Sequence, residues 1–111
     1  MFRRYEMPWT VSFHEAAKAE ADALPLDLRA RLERLTRLVA GHGLDRLPPS
    51  AAKHLMQGLW ELRIKGKDGI ARAFYVTRKG QRLVIVRVFV KKTQKTPPHE
   101  IELALRRAEE V

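Results

Sequence analysis

The residues most able to do chemistry are the lysines and arginines between Lys53 and Lys95. This range holds 12 basic residues and two acidic ones, Glu61 and Asp68, and therefore a net charge of +10. The rest of the chain has 10 basic and 11 acidic residues. Because all of the excess positive charge lies in one range, the sequence predicts a face that binds a polyanion, with RNA as the best candidate.

A cluster of cations suits the cleavage of an RNA phosphodiester. The 2′-hydroxyl attacks the adjacent phosphorus, and arginine forks stabilise the charge that builds on the non-bridging oxygens. A lysine close to other cations has a lowered pKa and can act as the base, for which Lys91 and Lys92 are the candidates. The same lysines could instead only bind phosphates by counterion release, and both interpretations stay open. The candidate site comprises Arg63, Lys65, Arg72, Arg87, Lys91, Lys92 and Lys95, with Tyr75 as a hydroxyl.

Other kinds of active site find little support in the sequence. The chain has no cysteine, and its four histidines lack metal-ligand spacing, so neither a metal nor another cofactor is expected. Glu61 is the one carboxylate in the predicted strands, which argues against paired-carboxylate catalysis. The longest apolar run, Leu83–Val90, is far shorter than the about 20 residues of a membrane span. A cytoplasmic protein without a signal peptide is expected.

Three antiparallel strands should present the cations. Strands are predicted at Leu59–Lys65, Ile70–Thr77 and Leu83–Val90, with turns at Gly66–Gly69 and Arg78–Gln81. Alternation predicts two opposite faces for each of the first two strands. The first strand has Trp60, Leu62 and Ile64 on one face and Glu61, Arg63 and Lys65 on the other; the second has Ala71, Ala73 and Tyr75 opposite Ile70, Arg72, Phe74 and Val76.

One charged residue, Arg87, interrupts the apolar third strand. Burying an unpaired arginine would be costly, so we expect Arg87 either to pair with Glu61 or to point into an anion site.

Helices should flank these strands. Ser12 and Glu15 have the spacing of a capping box, which predicts a helix from there to about Ala23. A second helix should begin at Pro25 and stop at the following glycines, and Thr96 should cap a last helix over Pro97–Glu109. The arginines of the second helix could touch nucleic acid or form a solvated face; they are Arg29, Arg31, Arg34 and Arg37.

These elements predict an α+β fold in a single domain spanning residues 1–111. A two-helix N-terminal hairpin would pack on an antiparallel sheet of about four strands, with a C-terminal helix. Tyr5–Thr10 could supply a short edge strand.

Three segments resemble the phage-derived RelE/HigB-like toxins of type II toxin–antitoxin systems. They are GLWELR at Gly58–Arg63, ARAFY at Ala71–Tyr75 and FVKKTQKTP at Phe89–Pro97. The resemblance implies helices packed on one side of an antiparallel sheet, with a concave basic face on the other. It also implies an mRNA endonuclease, ribosome-associated or free, that inhibits translation and is neutralised by a helix-turn-helix antitoxin.

By the same resemblance, Arg63, Arg72, Lys91 and Lys92 match positions where related toxins keep phosphate-binding or catalytic basic residues. Two other functions stay open. One is a ParE-like protein that inhibits DNA gyrase by binding, and the other is a non-catalytic regulator that binds nucleic acid.

Overall fold

The structure, a computed structural model, describes residues 9–67, 69–92 and 95–111. In these ranges the chain forms five strands and three α-helices, with two 3-10 turns, Leu44–Arg46 and Pro49–Ala51, before the second strand. None of these helices is long and apolar enough to cross a membrane. The elements are β1 (Thr10–Phe13), α1 (Glu15–Asp22), α2 (Leu26–His42), β2 (Ala52–Met56), β3 (Leu59–Lys65), β4 (Ile70–Arg78), β5 (Arg82–Val90) and α3 (Pro98–Ala108).

The five strands form one mixed sheet in the order β1-β5-β4-β3-β2. Strands β2 to β5 are an antiparallel meander, and β1 pairs with β5 in parallel, Thr10 lying opposite Arg82. The predicted α+β class, the N-terminal helix pair and the C-terminal helix are confirmed. An edge strand lies at Thr10–Phe13; of the strand predicted over Tyr5–Thr10, residues 5–8 fall outside the described ranges. Strand β2 was not predicted, because it is a short edge strand without clear apolar alternation.

The sheet buries an apolar cluster on each face. Helices α1 and α2 cover the first face, where Leu28 and Leu32 pack with Ile64 and Ile85. On the second face, Ala104 and other residues of α3 pack on the aromatic and branched side chains of β4 and β5. The predicted alternation of β4 is confirmed, since Ala71, Ala73 and Tyr75 join the first cluster and Phe74 and Val76 join the second.

A β-bulge interrupts β5 at Val86. Phe74 lies opposite Arg87 while Tyr75 lies opposite Ile85, so β5 has one extra residue here. Strand β1 has ended by this point, and side chains bond to the exposed backbone instead. Glu20 accepts the Val88 N–H at 3.0 Å, and the Arg107 guanidinium donates to the Val86 carbonyl at 2.9 Å. Polar groups that a neighbouring strand would satisfy are therefore satisfied by α1 and α3.

Both predicted side-chain caps are wrong. Ser12 lies within β1, opposite Val84, because the parallel pairing keeps the chain extended as far as Phe13. His14 caps α1 instead, its Nδ1 accepting the Ala16 N–H at 3.0 Å. The N-cap of α3 is Pro97, without a side-chain cap, because the Thr96 hydroxyl accepts a hydrogen bond from a β4 arginine.

Candidate functional site

The candidate site is built around a pair of arginines on neighbouring strands. Arg63 of β3 lies directly opposite Arg72 of β4, on the face that α3 covers only in part. Like charges directly opposite each other are destabilising, so a counter-charge is needed. Glu61 supplies it: its Oε2 is 2.6 Å from the Arg72 Nε, and Glu61 and Arg72 are 1% and 3% exposed. Arg72 is thus a buried charge held by a buried carboxylate.

The loop between β5 and α3 holds Arg72 from a second direction. Its Nη1 donates a hydrogen bond to the Thr96 hydroxyl. Because Glu61 and Thr96 belong to different parts of the chain, the guanidinium plane is fixed before any ligand arrives. Fixed donors of this kind can stabilise charge without reorganising during a reaction. Arg72 opens on a cleft of about 110 Å³ lined by Arg72, Phe89, Val90, Lys91, Lys92, Lys95, Pro97 and Glu100.

Lys91 follows the last residue of β5 and continues its pairing with β4. Its backbone N–H donates to the Ile70 carbonyl at 2.7 Å, which fixes the position of the residue. Partial desolvation lowers the pKa of Lys91, and the charges of Arg72 and Arg63 lower it further, while Glu61 opposes them. A lysine in this environment releases its proton more readily than an isolated one, and can therefore act as a base.

The remaining predicted cations divide between two places. Lys92 and Lys95 are exposed and line the same cleft as Arg72. Lys65 and Arg63 line a second cleft, beside α2. The Arg63 Nε is buried and has no hydrogen-bond partner among the described residues. The structure therefore brings together Arg63, Arg72, Lys91, Lys92 and Lys95, with Arg63 between the two clefts.

The family model described as Phage derived protein Gp49-like (DUF891) matches residues 19–109. The chain belongs to this Gp49-like family. No curated protein matches the sequence. The predicted resemblance to a phage-derived family is thereby confirmed.

Solved structures show which fold this Gp49-like protein adopts. A mutant of the E. coli toxin RelE in the free state superposes with a TM-score of 0.65 at 17% sequence identity, over 91% of this chain and 98% of that one. RelE in an archaeal RelE–RelB complex from Pyrococcus horikoshii OT3 superposes with a TM-score of 0.53 at 16% identity, over 76% of this chain and 96% of that one. The Gp49-like protein therefore has the RelE fold.

Arg87 contacts neither of its predicted partners. Its Nε is 2.6 Å from Glu100 Oε1 and its Nη1 is 2.7 Å from Glu20 Oε2, so it pairs with α3 and α1 and not with Glu61. The hydrogen bond to Glu100 is the main cause of its raised pKa. Arg107 also pairs with Glu20, at 2.9 Å. Two arginines and two carboxylates thus form a neutral network around the bulge of β5, which joins α1 and α3 to the sheet of this Gp49-like protein.

Tyr75 is not brought to the basic face. It is 2% exposed and lies in the apolar cluster beneath α1 and α2, where burial raises its pKa to about 12. The alternation of β4 predicts Tyr75 and Arg72 on opposite faces, and the structure confirms that Tyr75 lies apart from the cationic side chains.

Sequence reasoning missed three residues that shape the site: Glu61 and Thr96, which hold Arg72, and Lys53. Lys53 of β2 lies opposite Glu61 in the sheet, and its charge is among those that lower the pKa of Lys91. The signal for Glu61 was its place two residues before Arg63 on the same face of β3. The position of Lys53 beside Glu61 follows from the pairing of β2 with β3, and β2 has no clear pattern in the sequence. No group of three histidine or acidic side chains in the described ranges could hold a metal ion.

Proposed function

We propose that this protein is the toxin of a type II toxin–antitoxin system and that it cleaves mRNA on the face formed by Arg63, Arg72 and Lys91. The observation that carries the proposal is the buried, doubly held guanidinium of Arg72 beside a lysine whose pKa is lowered. The family and the RelE fold support the toxin assignment. We propose that residues 1–111 act as one domain, in the cytoplasm, on mRNA that is free or held by the ribosome.

In the proposed reaction, neutral Lys91 removes the proton of a ribose 2′-hydroxyl. The 2′-oxygen then bonds to the adjacent phosphorus, and the bond between phosphorus and the 5′-oxygen breaks. Arg72 and Arg63 donate hydrogen bonds to the non-bridging oxygens as their negative charge increases. A protonated lysine of the same cleft, Lys92 or Lys95, supplies a proton to the leaving oxygen. The products are a 2′,3′-cyclic phosphate and a 5′-hydroxyl.

We also propose a protein partner, a helix-turn-helix antitoxin that neutralises the toxin. The structure of an archaeal RelE–RelB complex supports a partner of this general kind, because a protein of the same fold is seen there bound to RelB. An acidic segment on the antitoxin would complement the excess positive charge of the Lys53–Lys95 range.

The test is to incubate purified protein with a defined mRNA, with and without ribosomes, and to map the ends. We expect defined 5′-hydroxyl ends, at a rate that falls about 10²–10³-fold in Arg72→Ala and in Lys91→Ala. Arg37→Ala, which removes an exposed cation of α2, is the matched control and should cleave normally. Circular dichroism should show that each variant is folded.

Two outcomes would overturn the proposal. Intact RNA under both conditions, with inhibition of gyrase supercoiling instead, would assign the ParE-like function. RNA binding without cleavage, unchanged in the Lys91 variant, would leave only a regulator that binds nucleic acid.

A further inference from the structure

A second cleft lies at the edge of β3, where this strand extends beyond β2. The last pair between the two strands is Ala52 with Leu62, so the following residues of β3 pair with β4 on one side and have no described strand on the other. The 3-10 turn Pro49–Ala51 and helix α2 border the gap instead. The cleft has a volume of about 340 Å³, within the range of about 300–1,000 Å³ in which small ligands bind. Its lining residues are Arg31, Arg34, Leu35, Pro48, Ser50, Ala51, Arg63, Ile64 and Lys65.

Two of the four α2 arginines line this cleft. Arg31 and Arg34 are three residues apart, and so they share one face of the helix. Neither makes an ion pair or hydrogen bond with any other described residue. The other two are engaged within the protein, since Arg37 pairs with Glu33 at 3.8 Å and Arg29 donates to the Asp22 carbonyl at 3.0 Å. Of the four α2 arginines, the two without a partner among the described residues are therefore those that line the cleft.

The wall of the cleft formed by β3 is fixed against α2. The Lys67 N–H donates to Asp27 Oδ2 at 2.8 Å, which ties the β3–β4 turn to the first turn of α2. Gly66 permits this approach, because a Cβ at this position would lie 2.6 Å from Leu28 Cδ2. Lys65, the neighbour of Gly66, is thus held beside α2, and the cleft is formed before a ligand binds.

The lining combines positive charge with an apolar surface. Arg31, Arg34, Arg63 and Lys65 contribute four positive charges, and none of the described residues that line the cleft is acidic. Leu35, Pro48, Ala51 and Ile64 supply apolar area. A ligand that complements both parts carries an anionic group and a flat apolar group, as a nucleotide does with its phosphate and its base.

Arg63 connects this cleft to the proposed cleavage face. It lines the cleft and lies opposite Arg72 in the sheet, and its charge lowers the pKa of Lys91. We propose that the cleft binds a nucleotide of the same RNA strand that is held at Arg72, so that the strand passes over the edge of β3. This inference rests on the proposed function for the identity of the ligand, but its test does not require cleavage.

The test measures binding of a single-stranded RNA of about ten nucleotides, with 2′-O-methyl groups that prevent cleavage, by fluorescence anisotropy at several salt concentrations. The variant Arg31→Ala/Arg34→Ala is compared with Arg29→Ala/Arg37→Ala, which removes the same charge from the same helix outside the cleft. We expect the cleft variant to bind about 10- to 100-fold more weakly and to lower the slope of log Kd against log salt by about two. The control pair should bind within about twofold of the wild type, as expected for charges that contact no phosphate.

The apolar part of the cleft is tested with RNAs in which one base at a time is removed. One abasic position should weaken binding to the wild-type protein and should have a smaller effect in the cleft variant. Equal losses in the two double variants would overturn the inference and show only a diffuse attraction by α2. Unchanged RNA binding in the cleft variant, with weaker binding of the antitoxin, would overturn it in favour of a protein partner.

The inference and the proposed function can fail separately. If only the cleft variant loses RNA binding and the wild-type protein does not cut RNA, the cleft is supported as a binding site and the cleavage activity is rejected. Normal cleavage with equal RNA binding by both double variants would reject the cleft alone. Thermal unfolding of both variants shows whether they remain folded.

Discussion

Arg72 and Arg87 lie on adjacent strands and on the same face of the sheet, but the net charge of the side chains around them differs. Arg87 shares Glu20 and Glu100 with Arg107, so two cations meet two carboxylates. Among the ion pairs of the described residues, Arg72 pairs with one carboxylate, Glu61, and the charges of Arg63, Lys53 and Lys91 lie close to this pair. The first network is neutral and joins α1 and α3 to the sheet. The second keeps an excess of positive charge, which an external anion can satisfy.

An arginine inside an apolar strand is therefore not by itself evidence of a site. The two arginines differ in the number of carboxylates that pair with each of them among the described residues. A buried pair costs desolvation energy and is weak evidence for stability, so the surplus of cations around Arg72 needs another explanation. Binding of a polyanion supplies one.

The largest effect should come from removing the carboxylate of the Arg72 pair. Glu61→Gln leaves a buried guanidinium without its counter-ion, beside other cations, and should lower the free energy of unfolding by about 3–5 kcal/mol. The matched change Glu100→Gln should cost less, because Arg87 is 19% exposed and keeps Glu20. Urea unfolding of both variants provides the measurement. Equal losses would show that the two networks do not differ as described.

The next effect concerns catalysis. Arg72→Lys keeps the charge but removes the planar fork, and should reduce the cleavage rate constant about 100-fold while RNA affinity changes little. Arg87→Lys breaks the bidentate pair with Glu100 but should leave the rate within about threefold, because Arg87 is not among the residues that line the cleft of Arg72. Single-turnover rates and Kd values, measured separately, distinguish the two. A similar fall in rate for both variants would mean that the Arg87 network is part of the site.

A smaller effect should follow from Glu20. Burial raises its pKa, but hydrogen bonds from Arg107 and Val88 and the charge of Arg87 outweigh burial, so the pKa is lowered below 4.5. Its stabilising contribution is then present above pH 4.5 and is lost as the pH falls through the lowered pKa. Glu20→Gln should reduce stability by about 1–2 kcal/mol at neutral pH, and the difference from the wild type should shrink in acid. Denaturant unfolding at several pH values checks this, and a difference independent of pH would contradict it.

The meander could be predicted well because side-chain alternation and turn residues are local features of the sequence. Leu59–Lys65 matches β3 residue for residue, and alternation assigned Arg72 and Tyr75 to opposite faces. The errors came from non-local geometry. The partners of Arg87 depend on the bulge at Val86, and the strand conformation of Ser12 depends on pairing with β5, 72 residues away in the case of Val84. Neither feature leaves a periodic pattern.

The smallest effect, and the finest test of the cationic site, is a shift in the pH dependence of cleavage. If Lys91 is the base, the rate rises with pH as Lys91 loses its proton, and the rise ends at the lowered pKa. Arg63→Gln removes one of the cations that lower this pKa, so the rising limb should move to higher pH. Arg87→Gln removes a cation that is not among those that lower the pKa of Lys91, so the rising limb of this variant's pH–rate profile should not move. Single-turnover rates across the pH range provide the measurement. Equal shifts in both variants would point to a general loss of positive charge, whereas a shift in Arg63→Gln alone would tie the proton transfer to the Arg63, Arg72 and Lys91 group.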